Sequence, residues 1–124
     1  MSVWTLLGAA LAGGVGAGLR YLVDVLVDGG KARRFPLGIL VVNVTGSFAL
    51  GILTGLGVGF VGSEAAWILG VGLLGGYTTF STVSLESVLN LRRGYARRGW
   101  MNAGANLVLG VVAAAVGLAL AARF

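Results

Sequence analysis

The sequence predicts an all-α integral membrane protein with four transmembrane helices, the third broken near its middle. Three observations point there. First, 57% of the 124 residues are hydrophobic and only 10% are charged, where a soluble domain carries roughly a quarter. Second, the apolar residues fall into four runs, each long enough for a bilayer core needing about 20 of them. Third, the third run is interrupted by Gly75-Gly76-Tyr77-Thr78-Thr79-Phe80-Ser81-Thr82-Val83-Ser84, two glycines and five hydroxyl residues where hydrocarbon would be expected. Non-helical backbone survives at membrane depth only if it is buried in protein or lines a watery path.

The runs place spans at residues 3–27, 35–60, 65–91 and 101–122, with connections at 28–34, 61–64 and 92–100. They form a single transmembrane domain over residues 1–124, with no room for a separate soluble one. The N-terminus lacks the basic segment of a signal peptide and its apolar run is too long for one, so it is expected to remain as a span. With 23 glycines and one proline, close helix packing is expected, since small residues let membrane helices approach.

The first span carries Gly13-Gly14-x-Gly16-x-Gly18. No strand precedes it, so a dinucleotide-binding reading fails and helix packing is the better account. Arg20 and Asp24 are one turn apart. They either pair across that turn, or Arg20 reaches for the interface near the span's end.

The second span follows Lys31, Arg33, Arg34 and Pro36. It places Asn43 and Ser47 on one face, with Gly46 beside them. Asn43 needs partners at this depth, as helix glue worth about 1 kcal/mol or as a donor into a polar path. The turn to the third span holds only Glu64, and Trp67 suits an interface.

The third span divides at the polar stretch into two half-helices of about a dozen residues. Such an interruption is a recognised pointer to a site. The alternative is an unbroken helix whose Ser and Thr bond back to their own carbonyls. In its second half Thr82 and Glu86 stand one turn apart. Arg92, Arg93, Arg97 and Arg98 follow. The fourth span carries Asn102 and Asn106, again one turn apart.

The inventory limits the chemistry. There is no Cys and no His, which excludes disulfides, thiolate metal sites and imidazole catalysis. The acids are Asp24, Asp28, Glu64 and Glu86, and no base with a suitable partner is visible, so an enzyme is not expected. The net charge of +5 fits basic loops facing an anionic leaflet better than nucleic acid.

Together, Gly14-x-Gly16-Ala17-x-x-Arg20-Tyr21, Val42-Asn43-x-x-Gly46-Ser47-Phe48 and Gly75-Gly76-Tyr77-Thr78-Thr79-Phe80-Ser81-Thr82 resemble the fluoride ion channels of the Fluc/CrcB family. The likeness covers the whole chain, and its third motif is the most specific. It implies passive fluoride export across the cytoplasmic membrane by an antiparallel dimer with two pores at its interface. It implies a structural sodium ion at the dimer centre, held by the backbone carbonyls of Gly75 and Thr78. By the same match Phe80 and Asn43 would line a pore, with Ser81, Thr82 and Glu86 in its polar wall and Arg20 near the vestibule. Asn106 joins this group as the deeper polar residue of the fourth span. The chemistry is consistent. A dry fluoride path must replace water with amide and hydroxyl donors, and a phenyl ring presents a positive edge.

Two positions depart from the family pattern. Val83 stands where many members have a second Phe, and Gly110 where a Ser often follows the fourth-span polar residue. Loop charge adds a third point. Lys31, Arg33, Arg34, Arg92, Arg93, Arg97 and Arg98 all fall on one side, against Arg123 and Glu64 on the other. That bias predicts one orientation with both termini outside. A self-paired antiparallel dimer needs a chain that inserts both ways, so pairing with an oppositely oriented paralogue is expected. The competing readings are an accessory subunit that carries no ion, and a four-span multidrug exporter, which would need a carboxylate deep in a span.

Overall fold

A computed structural model describes residues 1–29 and 35–124. Lys31, Arg33 and Arg34, the expected first basic cluster, lie outside the described residues. The fold is helical throughout them. Four stretches are long and apolar enough to cross a membrane: Val3–Asp28, Leu37–Val61, Ser63–Arg92 and Ala96–Ala121. The chain is therefore a multi-pass membrane protein, and its many exposed Leu, Val and Trp side chains are what a lipid-facing surface requires.

Helix α1 (Val3–Asp28) starts at Ser2, whose hydroxyl accepts from the Thr5 N–H at 3.1 Å, an ordinary N-cap. The Ser2 and Thr5 hydroxyls also donate to Glu64 Oε1, at 3.1 and 2.8 Å. That pins the start of α1 to the start of the third span. At the other end the Gly38 N–H donates to Asp28 Oδ2 at 3.1 Å. Helix α2 (Leu37–Val61) follows. It kinks near its end, where Gly57 adopts φ 74°, a conformation open to glycine and costly to other residues.

The third span bends by 20° and is not one α-helix. It comprises α3 (Ser63–Ala66), a π-helical segment (Trp67–Leu74), the single turn α4 (Gly75–Tyr77) and α5 (Ser81–Arg92). The π-wound segment was not anticipated in sequence. It lies where α1 presses closest. A Cβ on Gly72 would meet the Ala9 carbonyl oxygen at 2.6 Å, and one on Gly76 would overlap the Gly13 backbone, with its carbonyl carbon at 2.8 Å. Gly13 and Gly16 of the glycine run are thus one side of a backbone-to-backbone contact, as expected, while Gly14 and Gly18 face open space.

Helix α6 (Ala96–Ala121) begins five residues before the expected boundary. The turn before it is short because Gly94 takes φ 85°. Tyr95 N–H then reaches the Asn90 carbonyl at 2.8 Å and Gly94 N–H the Leu91 carbonyl at 3.2 Å. These two bonds close a Schellman motif. Arg97 and Arg98 consequently sit on the first turn of α6 rather than in a loop, and the Arg98 guanidinium lies 4.3 Å from the centre of the Tyr95 ring. Helix α6 packs closely on α2 and α5. A Cβ on Gly117 would run into the Phe48 carbonyl, and one on Gly99 would come within 2.7 Å of the Ser87 carbonyl.

Candidate ion path at the helix break

The site starts from a backbone problem. The helical ladder of the third span runs to Thr78 N–H···O=C Leu74 at 2.9 Å and resumes at Ser84 N–H···O=C Phe80, also 2.9 Å. Between them Thr78 is extended (φ −79°, ψ 154°). A break in hydrocarbon must find new partners for the freed groups.

Asn43 of α2 supplies them. Its Oδ1 accepts from the Thr79 N–H at 2.9 Å, and its Nδ2 donates to the Thr79 carbonyl at 3.0 Å. One carboxamide thus replaces both backbone partners of one residue. The Thr79 hydroxyl then accepts from the Thr82 N–H at 3.2 Å, so the side chain just before the N-cap residue Phe80 satisfies one of the open donors at the start of α5. Thr79 is only 7% exposed, so solvent could not do this work. Gly46 makes room, because a Cβ there would collide with the Thr78 methyl and come within 3.1 Å of the Tyr77 ring. The Thr45 hydroxyl and the Tyr77 phenol meet at 2.9 Å just beside it.

With Thr79 and Thr82 N–H groups engaged elsewhere, the carbonyls of Gly75 and Thr78 lose the donors an unbroken helix would give them. These are the two carbonyls that the family resemblance implies for a cation. Both residues line an open groove of about 800 Å³.

The groove also collects Asn43, Ser47, Phe80, Val83, Ser84, Ser87 and Asn106. Phe80 stands 84% exposed at its mouth. Ser81 and Thr82 do not line it. They attach through the Thr79 hydroxyl, at 3.2 and 3.1 Å, and carry the polar strip around α5. Glu86 continues that strip one turn on, half-buried and outside the groove lining. Arg20 is half-buried on α1, also away from the groove, and no ion pair joins it to Asp24 among the described residues. Asp24 instead packs on the start of α2, where its carboxylate occupies the space a side chain at Gly38 would need.

The two departures from the family pattern acquire structural partners. Val83 is buried and forms part of the groove floor. A Cβ at Gly110 would stand 3.4 Å from the Ser47 hydroxyl, so the second helix presents a hydroxyl opposite the position where the fourth lacks one. Thr79, Ser84, Ser87 and Asn102 were not singled out as site residues in sequence. The repeated one-turn spacing of Asn102 and Asn106 was the available signal for the last of these.

These features define a class: small four-span membrane proteins whose third span is broken around a polar, carbonyl-exposing turn. Residues 7–118 match the family described as CrcB-like protein, Camphor Resistance (CrcB), and the chain belongs to that family. It is similar to "Fluoride-specific ion channel FluC 1" of Symbiobacterium thermophilum, 46% identical over 120 residues covering 94% of this chain and 95% of that one. It is also similar to "Fluoride-specific ion channel FluC" of Shewanella denitrificans, 45% identical over 107 residues covering 86% and 83%. "Fluoride-specific ion channel FluC 1" of Leifsonia xyli is 40% identical over 120 residues covering 95% and 87%.

Proposed function

We propose that the chain is a subunit of a fluoride channel of the cytoplasmic membrane, passing fluoride out of the cell passively and so relieving its toxicity. The observation that carries this is the break at Thr78–Phe80, which sets a phenyl ring, hydroxyl residues and two residues whose carbonyls lack their helical donors beside one groove. Relatives over nearly the whole chain bear the name of fluoride channels. Fluoride holds its water strongly, so a narrow path must offer several donors at once. The Ser81 and Thr82 hydroxyls, on the polar strip of α5 beside the groove, supply such donors, with Glu86 one turn further along that strip. Phe80 offers its positive ring edge, which attracts an anion without holding it fast. Asn43 and Asn106 form the adjoining wall, and Arg20 serves the vestibule.

The groove and the 84% exposure of Phe80 favour completion by a second, inverted subunit. An inverted partner would bring the carbonyls of its own break up to Gly75 and Thr78 of this chain, four in all. Hard, uncharged oxygens of this kind suit a sodium ion, which would hold the breaks in place structurally. The basic turn Arg92–Arg98 argues for one orientation, termini outside, and hence for an oppositely oriented paralogue as partner. Val83 and Gly110 favour the same asymmetric arrangement. No organic cofactor, catalytic activity or nucleic-acid partner enters this reading. An exporter driven by protons would need a deep carboxylate, and Asp24 and Asp28 sit at the end of α1.

Reconstituted liposomes loaded with fluoride test it. Fluoride efflux with chloride retained, by this chain alone or with its paralogue, is the expected result. Chloride leaking as fast as fluoride, or proton-coupled drug transport, would refute it. Reporters fused at the C-terminus test orientation, and equal inside and outside signals would end the fixed-orientation claim.

A further inference from the structure

Asn43 is the near end of a longer chain of side chains. Its Nδ2 donates also to Asn106 Oδ1 at 2.9 Å. Asn106 Nδ2 donates to Asn102 Oδ1 at 3.1 Å and to the Asn102 carbonyl at 2.8 Å. Asn102 Nδ2 donates to the Ser87 hydroxyl at 3.0 Å and to the Val83 carbonyl at 3.4 Å. The chain leaves the break at Thr79, crosses α2 and α6, and returns to α5 two turns below.

The direction of every bond is fixed. Amide oxygen and nitrogen can be exchanged only if the neighbours allow it. Here a backbone group pins each end. The Thr79 N–H can only donate and its carbonyl can only accept, which sets Asn43. The Asn102 carbonyl can only accept, which sets Asn106. The Val83 carbonyl does the same for Asn102. Reversing any one carboxamide would place N–H against N–H or oxygen against oxygen. Each of the three Nδ2 atoms already has two protein acceptors. Their donors are therefore committed to protein.

Burial makes the chain consequential. Asn102 is 0% exposed, and Asn106 and Ser87 are buried with it. A polar group so placed must keep its partners. We infer that Asn102 is a positioning residue of the ion path. Through Asn106 and Asn43 it holds the Thr79 peptide in the broken conformation. The ion-path part rests on the fluoride reading; the mechanical part does not.

The test keeps the two apart. Amide hydrogen exchange at Thr79 is followed in detergent micelles for wild type, Asn102→Leu, Ser87→Ala and, as positive control, Asn43→Ala. Asn102 does not touch Thr79, yet Asn102→Leu is expected to speed Thr79 exchange about tenfold or more, the factor that about 1.4 kcal/mol of lost restraint gives. Ser87→Ala, milder and well tolerated sterically, is expected to give a smaller rise in the same direction. Unchanged Thr79 exchange in Ser87→Ala and Asn102→Leu, with a rise in Asn43→Ala, overturns the inference. If Asn102→Leu does not fold, Ser87→Ala alone decides it. Fluoride efflux from liposomes adds a double-mutant cycle. The losses from Asn102→Leu and Asn43→Ala are expected to be far from additive, because both cut one chain. Additive losses refute a shared role. A wild type that passes no fluoride, with the Thr79 exchange result intact, removes the channel reading and leaves the positioning chain standing.

Discussion

Replacing Asn43 by alanine removes three hydrogen bonds at once: two to the Thr79 peptide and one to Asn106 Oδ1. Thr79 and Asn106 are both buried, so no water takes their place. Hydrogen bonds between membrane helices are worth roughly 0.6 kcal/mol on average and about 1.7 at most. Leaving a buried group unpaired costs about 1–3 kcal/mol. The Thr79 N–H has one escape, since rotating Thr78 into helical geometry would return it to the Gly75 carbonyl. That rescue caps the loss of stability and closes the break. The expected outcome is a loss of about 2 kcal/mol, near 30-fold in the folded ratio, with a much larger loss of fluoride efflux. Asn43→Asp keeps the acceptor for Thr79 N–H but turns an oxygen toward the Thr79 carbonyl and Asn106 Oδ1. It is expected to be at least as damaging. Stability is read by denaturant titration of the purified protein in mixed micelles, and efflux by a fluoride electrode outside loaded liposomes. An alanine variant within about 0.5 kcal/mol of wild type and with undiminished efflux would refute the claim that Asn43 holds the break.

Phe80→Ala should leave subunit stability within about 0.5 kcal/mol, the range of surface changes, because the ring is 84% exposed. It should nevertheless reduce efflux about tenfold or more, and equal efflux would remove the ring from the path. Gly76→Ala forces a Cβ onto the Gly13 backbone. Overpacking of that kind costs about 1–3 kcal/mol, visible as a lower thermal midpoint, whereas Gly14→Ala, with open space around it, should be neutral. Gly110→Ser brings a second hydroxyl beside Ser47 and should keep the fold while changing fluoride efflux; an unaltered rate would place that pair outside the path.

The four spans and the break were legible because their signals are strong and local. Apolar length set the spans, and hydroxyls among glycines marked Gly75–Ser84. The close approach of α1 to the third span through Gly13, Gly16, Gly72 and Gly76 was legible in kind, since small residues let membrane helices come together. Two features were not. The π-wound Trp67–Leu74 segment has an ordinary apolar sequence, and it lies where the backbone of α1 meets Gly72, a contact between segments far apart in the chain. The start of α6 was misplaced because arginines were read as loop residues, while the Gly94 turn needs only three residues. The roles of Asn43, Asn102 and Asn106 sit between these cases. Their one-turn spacings and depth promised partners. Which partners they choose depends on α2, α5 and α6 meeting in space, and no single stretch of sequence encodes that.

The break treats its two kinds of freed backbone group differently, and that difference bears on how one segment can serve ions of both signs. Its key donors are satisfied within the subunit: Thr79 N–H by Asn43, Thr82 N–H by the Thr79 hydroxyl. The Gly75 and Thr78 carbonyls lose their helical donors, and both residues line the groove. The α4 side of the break therefore carries a concentration of negative partial charge, as any helix C-terminus does. Three residues on, α5 begins, and its first turn carries positive partial charge for the same reason. Phe80 stands between these two fields. A cation held at the carbonyls would cancel the negative one, leaving the positive end of α5 and the ring edge as the local field felt by a passing anion. On this argument a cation bound at those carbonyls would be coupled to the anion path. Exchanging sodium for a larger cation such as caesium should then lower fluoride efflux without altering the fold of the single subunit. Efflux that is indifferent to the cation present would uncouple them.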